Sequence, residues 1–348
     1  MRLDCRCAAF GLILALCSGA AGACGGDPVI RTNETFTCRQ WLDCYFLEGH
    51  PSCVDGSCQV SKSFFRPTPW EPAFAEHYET IESLSGQSAG FLAAAGWDGL
   101  VLTYDGAQWN AASIPGWEDE MYRAVWASPS GMVWASGSLK RVTRYNPVTN
   151  RFNELELDDS ADIYGLWGTS DDDVWALALA GQVYHWDGVT FGALGSVSPV
   201  VMEDISGSGP QDVWVVGWSG TVMHRTTGDF EALAPVTSRD LTAVHARAPD
   251  DVWIAGESGT VLHYDGVQLT VLPSAGDVDL WCVFALGPQD VWVGGDQGTA
   301  SHWDGTAWRH DPLASRNETV AGIWGTNGGT LWAASSFGTI YRHTGMTQ

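Results

Sequence analysis

Lysine is nearly missing from this chain. Only Lys62 and Lys140 stand among 17 basic residues, against 41 acidic ones, and the formal net charge is −24. So acidic a chain has no electrostatic footprint for nucleic acid or for an anionic membrane surface. Its acidity keeps it soluble and favours cationic partners. Long apolar runs are also lacking. Residues 8–16 form an apolar run of nine, too short to span a bilayer, and no later stretch is long enough. Catalytic signatures are absent as well: no G-x-S-x-G, no H-E-x-x-H and no phosphate-binding glycine loop with a lysine. Carboxylate pairs for glycoside hydrolysis remain open, because their spacing is a three-dimensional property.

What the chain does have is a repeat. The stretch Leu241 to Gly266 reads as three short strands, and Val267 to Leu272 supplies a fourth. Asp265-Gly266 is a two-residue hairpin signal in which both central positions need positive φ. The D-V-W step of this unit recurs at Asp173-Val174-Trp175, Asp212-Val213-Trp214, Asp251-Val252-Trp253 and Asp290-Val291-Trp292. Looser copies are Met132-Val133-Trp134, Thr330-Leu331-Trp332 and the degenerate Phe91-Leu92-Ala93. The equivalent positions 93, 134, 175, 214, 253, 292 and 332 are 39 to 41 residues apart. A period near 40 with four strands per copy predicts an all-β fold, a seven-bladed β-propeller of four-stranded antiparallel blades.

The repeated side chains read as structural. Sheets fanned around an axis leave wedge-shaped gaps, and large rings such as the D-V-W tryptophans fill them. His185, His224, His263 and His302 recur at a step of 39 in the third strand. Lying on different blades, they diverge and are expected to serve hydrogen bonding within each blade. The Asp before each Val-Trp reads as a turn residue bonding its own backbone. No metal or cofactor is expected.

The last copy ends at its third strand, Thr339 to His343, so the segment 62–80 is expected to close the ring before the repeats at 81–348. Residues 1–23 have the pattern of an export signal: Arg2 and Arg6, the apolar run, and Ala21-Gly22-Ala23 as a cleavage site. Cys24 follows the cut, as in a lipobox, which leaves two readings: a lipid-anchored Cys24 or simple secretion. Residues 24–61 read as a small module whose Cys38, Cys44, Cys53 and Cys58 form two disulfides in any of three pairings. Cys282 is expected to be a buried free thiol.

Ligand-binding candidates are positions that break the repeat. In propellers the turns between second and third strands share one face with the blade-to-blade connections. Those turns carry Trp97, Asp98, Trp218, Glu257, Asp296 and Phe337, alongside Leu139-Lys140 and Leu179-Ala180. The connections add Trp117, Glu118 and Asp119, with Asp158, Asp159, Asp277 and Asp279. Aromatics beside carboxylates suit a glycan, a peptide or a cation near the axis.

Taken together, D-V-W-x-x-G and G-T-V-x-H-Y/W-D-G over residues 81–345 resemble the repeats of predicted bacterial propeller lipoproteins. A more distant similarity is to photosystem assembly-factor propellers and to the Asp-box repeats of sialidases, although no copy meets the pattern S-x-D-x-G-x-T-W. The resemblance implies the fold and an extracytoplasmic place, at the outer membrane, the cell surface or beyond. The function expected is that of a monomeric, non-catalytic binding or scaffolding module with an unidentified protein or glycan ligand, touching membrane only through its anchor. The alternatives are a glycan-cleaving enzyme with an axial site and an assembly factor for an envelope complex. Mass spectrometry of the mature protein is expected to find an acylated Cys24 as its first residue; an unmodified Cys24 rules the anchor out.

Overall fold

The computed structural model describes residues 36–37, 52–54, 57–59, 69–75, 80–113, 121–138, 141–157, 162–313, 315–326 and 330–343. The chain divides into two units, residues 1–67 and 68–348. In the first, Ser57–Gln59 pairs antiparallel with both Phe36–Thr37 and Ser52–Val54, and Cys53 and Cys58 are register partners. Their side chains, and Cys24, Cys38 and Cys44 entirely, lie outside the described residues.

The second unit is a seven-bladed β-propeller, each blade a four-stranded antiparallel sheet. Blades 1 to 7 begin with the strands Ile81–Ser88, Tyr122–Ala127, Ile163–Ser170, Met202–Gly209, Leu241–Ala248, Leu280–Gly287 and Val320–Thr326. Each D-V-W step opens the second strand of its blade. Blade 7 takes its fourth strand from early in the chain: Trp70–Phe74 pairs antiparallel with Ile340–His343.

Cross-strand register explains the repeat. In four blades the D-V-W tryptophan lies directly opposite the third-strand histidine, as in Trp214↔His224 and Trp253↔His263. Opposed residues share a sheet face, so the rings stack, at 3.7 Å between centroids for Trp214 and His224 and 4.2 Å for Trp253 and His263. Blades 2 and 7 place Arg144 and Arg342 over Trp134 and Trp332 instead. The far side of each tryptophan meets the next blade: Trp134 meets Trp186, Trp214 meets Tyr264, and Trp332 meets Tyr104 at 5.0 Å. Burying one such ring contributes at most roughly 4–6 kcal/mol, against about 0.5–1.5 kcal/mol for ring geometry, so burial dominates.

Two local expectations change. The D-V-W aspartates bond side chains rather than their own backbone: their Oδ1 atoms meet the histidine Nε2, at 2.7 Å for Asp212–His224 and 2.8 Å for Asp251–His263, and Asp173 and Asp212 also accept across the turn from Thr169 and Ser208. Asp251 also accepts from Trp253 Nε1 at 2.7 Å and from Arg247. Burial alone would raise the Asp251 pKa, but the bonds from His263, Arg247 and Trp253 outweigh it and bring it to about 2. The second change is at Asp265-Gly266, where only the glycine has positive φ. Asp265 Oδ1 accepts from the amides of Val267 and Gln268, making a longer turn closed by its own side chain. The turn with two positive-φ residues lies one hairpin earlier, at Ser258-Gly259.

Adjacent blades are matched along their first strands. Number each of these strands from its first residue. A large ring at the fifth position packs on a glycine at the sixth position of the next blade: Trp126 on Gly168, Trp167 on Gly207, and Trp324 of blade 7 on Gly86 of blade 1. A polar fifth residue instead caps the amide of an alanine there. Ser85 accepts from Ala127 N–H at 3.1 Å, Ser206 from Ala246 at 3.1 Å, and His245 Nδ1 from Ala285 at 3.0 Å. A Cβ on Gly86 would lie 2.6 Å from the Trp324 ring, with no backbone atom in the way. Gly86→Ala is therefore expected to cost about 1–3 kcal/mol in urea unfolding. In a Trp324→Ser background the same change should cost nearly nothing. A double-mutant cycle without coupling would show that blades 7 and 1 do not meet there.

Candidate functional site

The seven first strands pack side by side in a circle and line an axial cavity of about 380 Å³. The second residue of each strand stands at one mouth. There Glu82, Arg123, Tyr164, Glu203, Thr242 and Trp281 replace the uniform residues found elsewhere in the repeat.

Pairing brings the turn between the second and third strands to the same mouth. Gly96, Gly217 and Gly295 end second strands opposite Ile81, Met202 and Leu280. A Cβ on Gly217 would sit 2.2 Å from the Val201 carbonyl oxygen, so only glycine lets the backbone approach this closely. The next residue then donates its N–H across the gap, Trp97 to Thr80 O, Trp218 to Val201 O and Asp296 to Asp279 O. Its side chain lands beside the second residue of the first strand. Trp97 Nε1 donates to Glu82 Oε1 at 2.6 Å and Trp218 Nε1 to Glu203 Oε1 at 2.7 Å. Blade 6 reverses the order, with Trp281 Nε1 donating to Asp296 Oδ1 at 2.8 Å.

The rings nevertheless stay open to solvent. Trp97 is 47% exposed, Trp218 46%, Trp281 44% and Phe337 55%. No other tryptophan, tyrosine or phenylalanine among the described residues is exposed, so the exposed rings of these three types all lie on this face. Asp98 is exposed in the left-handed region (φ 56). Glu257 Oε2 accepts the Asp240 amide at 3.2 Å. Connection carboxylates stabilise the turns of the preceding blade: Asp240 accepts from Ser219 N–H at 2.7 Å and Asp279 from Ser258 N–H at 2.8 Å. Trp117, Glu118 and Asp119, with Asp158, Asp159, Leu139 and Lys140, lie outside the described residues. The repeat breaks at Glu82, Arg123, Tyr164, Glu203 and Trp281 are additional to the residues expected from the turns. The signal that could have found them is the second column of the first strand, aligned across copies.

Electrostatics at the mouth are mixed but mainly negative. Burial raises the Glu203 pKa, the Trp218 bond opposes this, and Asp240 adds to the rise while Arg123 counters it. The Arg123 guanidinium lies 4.5 Å above the Tyr164 ring. Deeper in the wall, Asp204 accepts the Val244 and Ile205 amides, each at 2.8 Å. Burial pushes its carboxyl up to about 7 despite those bonds, and Glu203 adds to the effect. Burial pulls His245 down to about 4, leaving a neutral ring whose Nδ1 accepts from Ala285. Cys282 is buried and free, and its thiol meets the Val320 carbonyl at 3.6 Å.

Asp204 and His245 have opposite linkage. The His245 pKa is lowered by folding, so its contribution is present above about 6.5 and lost as pH falls through about 4. The Asp204 pKa is raised, so its contribution is complete below about 3.9 and lost as pH rises through about 7. Serine fills the fifth position in blades 1 and 4 and the third position in blade 1. His245→Ser should accordingly keep the amide cap while removing the part of stability that grows from pH 4 to 6.5. Asp204→Ser should remove the part that declines over the same range. Urea unfolding across pH 4–7 checks both, and parallel profiles for the two variants and wild type would contradict the assignment.

No protein-family model and no curated protein matches this sequence. Among solved structures the chain is similar to YCF48 bound to D1 peptide, at 17% identity and a TM-score of 0.66, covering 82% of this chain and 99% of that one. It is also similar to virginiamycin B lyase from Staphylococcus aureus, at 13% identity and 0.68, covering 78% and 97%. A third likeness is to the WD40 β-propeller domain of Doa1, at 11% identity and 0.66, covering 79% and 96%. At these identities the chain shares with the three a propeller fold, and the likeness extends no further.

Proposed function

We propose that the protein is an exported, lipid-anchored propeller serving as a non-catalytic binding or scaffolding module at the cell envelope. Its ligand docks on the face bearing Trp97, Trp218, Trp281 and Phe337. The carrying observation is that every exposed tryptophan, tyrosine or phenylalanine ring of the described residues gathers on this one face, around the mouth of the axial cavity. Exposed rings cost solubility unless something covers them, and such residues dominate binding energy in known interfaces. The pattern of residues 1–24 supports the compartment. One structural neighbour, YCF48, is a propeller with a bound peptide.

A second reading, a glycan-cleaving enzyme, is favoured by Glu82, Glu203, Asp204, Arg123 and Tyr164 sharing the axial cavity. Against it, both Asp204 oxygens are held by backbone amides, and Glu82 and Glu203 each bond an indole. Arg123 is the one arginine among the described residues lining that cavity.

The test is a pull-down and a glycan array with the mature protein, comparing wild type with Trp97→Ala/Trp218→Ala. The variant is expected to lose the captured ligand; retention of every ligand would place the site elsewhere. Captured subunits of an envelope complex would identify the scaffold as an assembly factor. Sugar release abolished by Glu82→Gln/Glu203→Gln would establish the enzyme instead.

A further inference from the structure

Three indoles of this face share one construction. In blades 1, 4 and 6 an indole N–H is bonded to a carboxylate 15 residues away in sequence: Trp97 to Glu82, Trp218 to Glu203, Trp281 to Asp296. No two of these blades are adjacent, so the pairs are spread around the whole mouth. We infer that the face recognises a basic polypeptide segment, one arginine or lysine side chain of the partner entering the axial mouth among the three indole–carboxylate pairs. This rests on the binding face proposed above and specifies its partner.

Each indole has its only donor engaged, so what it offers a partner is the π-face. That face carries the negative part of the ring quadrupole and attracts cations. A carboxylate accepting from the ring N–H pushes electron density into the ring, reinforces that polarity and restrains the ring's rotation. Glu82 and Glu203 each give one oxygen to an indole and accept no second hydrogen bond among the described residues, and Arg123 acts on Glu203 only through its charge. The charges of the mouth agree. Among the described residues, Glu82, Glu203, Asp240, Asp279 and Asp296 gather here, and the cations beside them include Arg123 stacked on Tyr164 and Arg239 donating to Ser258 Oγ at 3.1 Å. An acidic partner would be repelled, and a neutral glycan would find the indole donors already taken. A guanidinium or ammonium on a long apolar stem satisfies ring and carboxylate together. The cavity of about 380 Å³ falls in the range of pockets that enclose small groups.

A phage-displayed library of random twelve-residue peptides, selected on the immobilised mature protein, tests this. Selected peptides are expected to be enriched in arginine or lysine. Replacing that arginine by citrulline, or that lysine by its acetylated form, should weaken binding about ten-fold. Glu82→Gln/Glu203→Gln keeps an acceptor for each indole but removes the charge, and should produce a similar loss. Affinity should also fall with added salt. Peptides without basic residues that still depend on Trp97 and Trp218 would overturn this inference and leave the binding face standing. Selection of no peptide, or of peptides indifferent to all four residues, would overturn both.

Discussion

Every blade of this ring has an inner edge, and that edge is what the structure must manage. The first strand of a blade pairs on one side only, so its other backbone groups face the axis or the neighbouring blade. Unpaired and buried, each would cost about 1–3 kcal/mol; unpaired and open, they would template further strands. The neighbour answers in two ways. In some seams a serine, an aspartate or a histidine reaches across to the amide. Ser83 does this for Val125, Asp204 for Val244 and His245 for Ala285. In others a tryptophan covers a glycine so closely that no side chain would fit beneath it. The outer rings and the histidine–aspartate pairs build on a wheel that these seams hold together.

The number of blades was legible in the sequence because one steric demand, the wide gap between neighbouring sheets, recurs around the ring and selects a tryptophan in six of the seven copies, with Ala93 in the first. The partner of that tryptophan was less legible. A D-V-W aspartate looks like a turn former, and the register that sets it against a histidine twelve residues on appears only with the strands paired. Asp265-Gly266 misled for a similar reason. The dipeptide fits two turn geometries, and the side-chain bonds from Asp265 to Val267 and Gln268 select the longer one. The seam rule lies in the sequence too, but only once the first strands are aligned and read in pairs. Tryptophan in one copy goes with glycine in the next, serine with alanine.

At the candidate site, the turns were accessible to sequence reasoning and the channel was not. Trp97, Trp218 and Phe337 stood out because large rings on tight turns lack a packing reason. Glu82, Glu203 and Trp281 sit inside strands, where a variable residue looks like ordinary drift. Their meaning comes from convergence: seven strands bring one column of the repeat to a common axis. A single copy contains no trace of that axis. The same convergence places the raised carboxyl of Asp204 and the neutral imidazole of His245 in adjacent wall strands, a juxtaposition absent from any local pattern.

The pairing of Trp70–Phe74 with Ile340–His343 has a consequence for biogenesis. The chain emerges from the ribosome in one direction, and the strand Trp70–Phe74 cannot find its companion until the rest of the ring between them has been made. Until then the nascent protein is an incomplete crescent with two raw ends. The final docking joins segments distant in sequence, the kind of contact that forms slowly. A polypeptide of this design gains from a holdase that shields the gap in the meantime.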